Sequence, residues 1–452
     1  MRTAVIGASG FVGRALSVEL VSAGHDVVGL SRHRPQIPGV EGRAVDVADG
    51  AALLEGLAGC GSAFYLVHSL SAGDFRARDR ELAENFGTTA AAAGVERIVY
   101  LGGLGHEPQS EHLSSRQEVG VALAVGQVPV VELRAAVVLG AGSISFEMLR
   151  YLTERLPFMV CPRWVRTRIQ PIASADVVRY LMGALLVEPG VYEIGGAEVT
   201  SYREMIGAYA TARGLRPRRI VDVPYLTPRL SSYWLDLVTP VDRRISHALI
   251  ESLVTEVVVH DRARTDAAFA FEPAGLADGL SAALEDQAKA LDHDVVHRED
   301  GLCDGVYTVR VSAPLPDGAA ARLDADLDRI GGSYGWYGLR FAWRVRAVLG
   351  RLLGERWTLG SPPTLVEGQT VDWWYVTRRD PGTLVLRATS WFFGDAWFGY
   401  RRDKGALVQV GAFRPRGVPG FLYWKVLQPV HRMVFGVLLH HRVRRVGRAP
   451  GG

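Results

Sequence analysis

The segment Thr3-Ala-Val-Ile6-Gly7-Ala-Ser-Gly10-Phe-Val-Gly13 decides the fold of the first part of the chain. A short apolar run ends in glycines spaced three apart, and apolar residues at helical spacing (Phe11, Ala15, Leu16, Leu20) follow. Strand, turn and helix in that order give the glycines a specific meaning. Gly7 permits a tight turn, Gly10 lets the backbone approach a ligand, and Gly13 lets the helix sit close to the strand. The helix then opens with unpaired N–H groups and the positive end of its dipole, which together favour a phosphate. Gly7, Ser9, Gly10, Phe11, Val12 and Gly13 are therefore the expected contacts to a dinucleotide pyrophosphate.

Outward from this turn, as far as residue 135, short apolar runs alternate with helical patterns. Strands are expected at Thr3–Ile6, Asp26–Leu30, Arg43–Val47, Ala63–Val67, Arg97–Leu101 and Val130–Arg134. Helices fit at Phe11–Ala23, Ala51–Leu57, Asp74–Ala93 and Leu113–Val125. This is the α/β pattern of a doubly wound parallel Rossmann sheet, whose ligand lies at the carboxyl ends of the strands. The second strand runs out into Ser31 and Arg32 with no acidic residue at its end. A carboxylate there would take the ribose 2′-hydroxyl of NAD, whereas Ser31 and Arg32 suit a 2′-phosphate. NADP is thus the expected cofactor and NAD the alternative. One charge-assisted contact contributes about 1.5–3 kcal/mol, tenfold or more in preference. Asp46 and Val47, closing the third strand, are expected beside the adenine.

The bulk numbers bound the rest. The 452 residues are 48% hydrophobic and 22% charged, which describes a folded protein with two to three domains of ordinary size. A net charge of +3 offers no electrostatic footprint for nucleic acid. Cys60, Cys161 and Cys303 lie far apart without metal-ligand spacing, so neither a disulfide framework nor a metal site is expected. The chain opens directly on a strand, and no apolar run approaches the ~18 residues of a spanning helix. The expected location is the cytoplasm, at most peripheral to a membrane.

From about 140 to 290 the pattern is mixed, with helices at Ser145–Arg155, Ala175–Leu186 and Tyr202–Ala212. A proline-punctuated stretch carries Leu226-Thr-Pro-Arg-Leu-Ser-Ser-Tyr-Trp234. This part reads as a small substrate lobe. The polar segment Asp292–Gly305 reads as a linker, which divides the chain into domains 1–292 and 300–448. Beyond it lie eight of the ten tryptophans. Strands are expected at Val306–Ser312, Thr370–Thr377, Thr383–Trp391, Ala396–Arg401 and Ala406–Phe413. Helices are expected at Ala319–Ile330 and Arg340–Leu353, and a long apolar-basic helix, Gly420–Arg445, closes an α+β unit. Its basic end, with His440, His441, Arg442, Arg444 and Arg445, suits either a solvated helix terminus or peripheral contact with a membrane.

Residues 1–290 resemble the short-chain dehydrogenase/reductase superfamily in its extended or atypical branch. The resemblance rests on Gly7-x-x-Gly10-x-x-Gly13, Asp46-Val47, Tyr65-Leu-Val-His68, Val99-Tyr-Leu-Gly-Gly103 and Gln170-Pro-Ile-Ala-Ser-Ala-Asp176-Val. The last 150 residues resemble the DUF2867 domain through Gly331-Gly-Ser-Tyr-Gly-Trp336, Val371-Asp-Trp-Trp-Tyr375, Phe413-Arg-Pro-Arg-Gly417 and Gly420-Phe-Leu-Tyr-Trp424. The order of elements there is similar to the helix-grip fold of START-like proteins, where a sheet and a long helix enclose an apolar cavity.

The superfamily resemblance implies a Tyr-x-x-x-Lys pair and a nearby serine or threonine. This sequence departs from both: the helix reads His112-Leu-Ser-Ser-Arg116 and the hydroxyl position reads Gly102-Gly103. His112 and Arg116 fall on one helical face, where the histidine could supply a proton at neutral pH or serve only as a cap. His68, after the fourth strand, is expected near the nicotinamide, and Trp164, Arg168, Tyr233 and Trp234 on the substrate side. Two functions follow from the resemblance. One is an NADP(H)-dependent oxidoreductase acting on a hydrophobic quinone, enone or ketone; the other is a catalytically silent NAD(P)H sensor or lipid- or partner-binding protein.

Overall fold

Strand β1 (Arg2–Ile6) is an interior strand of a seven-stranded parallel sheet. To one side come β2 (Asp26–Ser31) and β3 (Val40–Ala44); to the other come β4 (Ser62–Tyr65), β5 (Arg97–Gly103), β6 (Val130–Ala135) and a last strand, Gly190–Ile194. Every neighbouring pair is parallel. The structure, a computed structural model, describes residues 1–68, 74–105, 111–223, 254–303, 305–331, 364–388 and 393–448. The chain forms two compact units, Met1–Thr153 with Pro157–Leu284, and Glu154–Leu156 with Glu285–Gly452.

Helices cover both faces of the parallel sheet, which is why its strands read as nearly continuous apolar runs. Ala4 and Ile6 of β1 pack towards α2 (Gly50–Leu57), α3 (Phe75–Ala92) and α4 (Glu111–Leu123), against Leu53, Phe86 and Leu123. Val5 points the other way, towards Leu16 and Leu20 of α1 (Phe11–Ser22) and Val177 and Leu181 of the helix Ser174–Gly183. The sheet order changes direction between β2–β1 and β1–β4, so the carboxyl edge opens a crevice there.

The third strand is three residues earlier than the apolar pattern predicts, Val40–Ala44 in place of Arg43–Val47. Local hydrogen bonds explain the shift. The Asp46 carboxylate accepts from Ala48 N at 3.0 Å, and Asp49 caps α2 by accepting from Ala51 N and Ala52 N at 3.1 Å each. These bonds take the backbone out of the ladder. Asp46 and Val47 therefore sit in the loop after the strand, with Val47 buried and Asp46 exposed. Helix α4 begins two residues before the expected Leu113, which makes His112 helical.

The region after residue 140 adds a parallel pair, Phe158–Pro162 with Arg219–Val223, and the helix Tyr202–Ala212 capped by Ser201. The buried Gln170 holds it: its amide donates to Gly196 O at 2.7 Å and accepts from Val259 N at 3.0 Å. Leu226–Trp234, and with it Tyr233 and Trp234, lies outside the described residues.

The second unit is an antiparallel sheet in the order Gly301–Cys303, Val306–Pro314, Ala406–Pro415, Gly394–Asp403, Thr383–Ala388, Trp374–Asp380, Thr370–Val371. The helix Gly417–Gly447 covers one face, setting Trp424, Phe435, Leu438 and Leu439 against Leu384, Leu386, Phe398 and Phe413. The opposite face carries Val385, Trp397, Val408 and Val410. Leu291, Val295 and Val296 cover it.

That covering corrects the linker. Asp292–Gly305 is polar in sequence, yet it comprises the end of the helix Leu276–Asp294, a 3-10 turn Val295–His297 and an edge strand. The units divide instead between Leu284 and Glu285. Asp292 is buried because both its oxygens are used: one accepts from Trp397 Nε1 at 2.8 Å and the other pairs with Arg387 at 3.0 Å. The single strand expected at Thr370–Thr377 is a tight hairpin, with Val371 paired to Trp374 and Asp372 at a φ of 52°. The helix expected at Arg340–Leu353 lies outside the described residues.

Candidate nucleotide site

At the carboxyl edge of the parallel sheet lies a cleft of about 770 Å³. Gly7 anchors its floor, donating its N–H to Leu30 O at 2.8 Å with a φ of +88°. A Cβ on Gly7 would lie 2.8 Å from Leu66 O, and one on Gly13 would lie 2.2 Å from Gly7 O. Both positions therefore exclude any side chain. Helix α1 starts at an extended Gly10 that offers no side-chain cap, and the first intrahelical bond is Arg14 N to Gly10 O at 2.9 Å. The amide N–H groups before Arg14 have no intrahelical partner and form an anion-binding helix end.

The thirteen residues expected from the sequence at the cofactor and at the proton-handling end line this cleft. Gly7, Ser9, Gly10, Phe11, Val12 and Gly13 form the turn; Ser31, Arg32, Asp46, Val47 and His68 follow the neighbouring strands; His112 and Arg116 stand on α4. Ser31 is buried and its Oγ accepts from Ser9 N at 3.1 Å, which ties the glycine turn to the end of β2. Arg32 is exposed and makes no ion pair among the described residues. Val47 is held by Asn85, whose amide donates to its carbonyl at 2.6 Å.

Of the two roles open to His112 in the sequence, supply of a proton at neutral pH is the one its burial disfavours. His112 is buried, and that burial, reinforced by Arg116, pushes its pKa down to about 3. The cleft thus holds a neutral imidazole at pH 7, which can donate a hydrogen bond but is not an imidazolium acid. His68 is also held below the ordinary histidine value, by burial first and then by Arg116 and His112. It faces the open cleft, so solvent tempers the effect there more than at His112.

Arg116 donates from Nη2 to Leu101 O at 2.5 Å, and its backbone carbonyl accepts from the Tyr100 hydroxyl at 2.9 Å. This fixes the guanidinium against β5. It also explains Gly103: a Cβ there would lie 3.1 Å from Arg116 Cδ and 3.2 Å from Leu113 Cδ2. The arginine fills the space that a hydroxyl side chain would need.

The cleft also includes residues the sequence did not flag. Arg78 and Leu82 of α3 join from one side, and Ser143, Ile144, Tyr202 and Val257 from the other. Helical periodicity alone does not mark them, because several are brought in from the lobe and from beyond residue 253. Trp164 meets Tyr202 edge-on at 6.4 Å and so backs the cleft through it. Arg168 instead borders a separate depression with Arg166 and Arg203. No group of three or more potential metal ligands occurs among the described residues.

Two family models match the chain. Residues 7–129 match a family described as NAD(P)H-binding, and residues 304–438 match DUF2867, a protein family of unknown function. The stretch similar to NAD(P)H-binding proteins thus precedes the stretch similar to DUF2867. The first of these stretches lies in the Rossmann-like parallel sheet with its flanking helices. MoeE5 in complex with UDP-glucose and NAD is 19% identical, with a TM-score of 0.50 over 64% of this chain and 100% of that one. The UDP-glucose 4-epimerase of Thermotoga maritima, solved with UDP-glucose, is 15% identical with a TM-score of 0.50, over 64% of this chain and 100% of its own. At such identities the likeness is one of fold. An uncharacterized protein of Mycobacterium tuberculosis, Rv2047c, is 28% identical over 213 residues, 46% of this chain. This chain spans 23% of that relative's length.

Proposed function

We propose that the chain is an NADP(H)-dependent oxidoreductase of atypical short-chain type, acting on a hydrophobic quinone, enone or ketone. The observation that carries this reading is a cleft running from an uncapped helix end, beside an Arg32 with no ion pair among the described residues, to the imidazole of His112. The residues present fit a dinucleotide: Gly7 and Gly13 let strand, turn and helix pack backbone to backbone, Gly10 starts the helix without a side chain, and Arg32 offers a charge for a 2′-phosphate. When bound, the nicotinamide supplies or accepts hydride. The protein's own part is orientation and polarisation. His112 donates an N–H to a substrate oxygen, and Arg116, held by Leu101 O, adds a fixed positive charge beside it. Leu104, Leu113, Ile144 and Val257 give that end of the cleft an apolar lining suited to a substrate with little polar surface. A neutral imidazole is a weak acid, so the proton on a reduced product comes from water.

The competing reading is a catalytically silent NAD(P)H sensor, favoured by the replacement of the tyrosine, lysine and hydroxyl positions by His112, Arg116 and Gly102-Gly103. One experiment separates them. NADPH and NADH are titrated by fluorescence, and oxidation of bound NADPH is then followed across a panel of quinones, enones and ketones. Tighter NADPH binding with oxidation by a panel member supports the enzyme. Binding without oxidation supports the sensor, and equal affinities for the two nucleotides remove the NADP assignment.

A further inference from the structure

The helix Gly417–Gly447 buries one face against its own sheet, yet its opposite face is also apolar. Val418, Leu422, Val426, Val430 and Met433 recur at spacings of four, four, four and three and form one exposed row. Leu422 is 55% exposed, Met433 63% and Val426 71%. The row is roughly 22 Å long at the helical rise of ~1.5 Å per residue. No helix among the described residues is long and apolar enough to cross a membrane.

Charge identifies what fits this row. The helix contains 31 residues and not one is Asp or Glu. Lys425 and Arg432 border the row, and the same side continues into the exposed His440, His441 and Arg444. Some of the positive charge is already used: Arg432 pairs with Asp300 at 2.5 Å, and Arg442 and Arg445 both reach Asp326. Lys425 and Arg444 form no ion pair among the described residues. A protein partner ordinarily presents both signs of charge around an apolar patch. An anionic lipid surface presents a plane of negative headgroups above hydrocarbon, which matches an apolar row on a helix whose only charged residues are cations.

We propose that this face of the helix docks on an anionic lipid surface, lying in its plane, with Leu422, Val426 and Met433 inserted and Lys425 and Arg444 at the headgroups. The proposal does not depend on the cofactor reading. The test uses the full chain and co-sedimentation with vesicles of phosphatidylcholine, with and without phosphatidylglycerol. Binding to the anionic vesicles should be at least ~10-fold tighter and should weaken as salt rises. The triple variant Leu422→Gln, Val426→Gln, Met433→Gln should lose it with an unchanged thermal transition and unchanged NADPH affinity. Lys425→Gln with Arg444→Gln should erase the preference for anionic vesicles. Absence of co-sedimentation at low salt, or full binding by the triple variant, would overturn the proposal. So would a wild-type dimer in light scattering that the triple variant makes monomeric, because a second copy would then cover the row.

Discussion

The chain contains two seven-stranded sheets, and their contrast explains how the two units differ in use. The parallel sheet needs a crossover helix after nearly every strand, so its carboxyl edge collects loops and helix N-termini. One of those termini, at Gly10, carries no cap and opens on a cleft. The antiparallel sheet connects neighbouring strands by hairpins at Asp403–Ala406 and Asp380–Thr383, and helical segments cover both its faces. Its aromatic residues are spent largely on one another: Phe413 stacks on Trp424 at 5.3 Å, and Phe398 meets Phe435 edge-on at 5.3 Å. A unit that leaves backbone donors unpaired at its edge binds ligands there. A unit that closes its sheet on both sides gains stability and offers its outer helix.

The contrast can be broken most severely by truncation. A fragment starting at Glu285 retains Leu291, Val295 and Val296 over the second sheet and should unfold in one sharp thermal transition. A fragment starting at residue 300 lacks them and should show no cooperative transition by calorimetry. If both fragments fold equally well, the boundary belongs at the polar segment after all.

Phe398→Ala should cost the second unit about 3–5 kcal/mol, the usual effect of emptying a buried aromatic site. NADPH affinity should stay unchanged in fluorescence titration, since Phe398 packs wholly within the second core. Gly13→Val is the mirror experiment. Its side chain would collide with the Gly7 carbonyl, so NADPH binding should fall by roughly a hundredfold, about 2.7 kcal/mol, while the second unit's transition stays in place.

Arg32→Ala sharpens the same picture at smaller scale. Removing the exposed guanidinium should cost about tenfold in NADPH affinity and leave NADH unaffected. A change of equal size for both nucleotides would place Arg32 away from the 2′-phosphate.

A separate effect concerns pH. The folded pKa of His112 lies near 3, below its ordinary value of about 6.5, so between those limits the unfolded chain binds the extra proton. Stability should therefore decline as pH falls through that window. His112→Phe should flatten this decline in urea titrations of the first unit and lower turnover, with NADPH affinity within about threefold. An identical pH profile for wild type and variant would show that His112 is not held neutral by burial.

The sequence by itself determined the nucleotide half. Gly7, Gly10 and Gly13 encode it because only the smallest residue fits where backbone meets backbone, as the 2.2 Å approach at Gly13 records. It likewise determined the long final helix and most strands, because periodicity of apolar residues is a local signal. Tertiary structure decided what periodicity cannot carry. The Asp46 and Asp49 side chains moved the third strand by capturing backbone donors. Trp397 and Arg387, more than ninety residues away in the chain, turned a polar segment around Asp292 into the cover of a sheet. Burial, felt only once α4 packs on β5, changed His112 from a proton donor at neutral pH into a neutral imidazole. For Asp292 and His112 the deciding partner is distant in sequence or is the water excluded by folding; for the third strand it is a side-chain hydrogen bond, and none of these is written in the spacing of apolar residues.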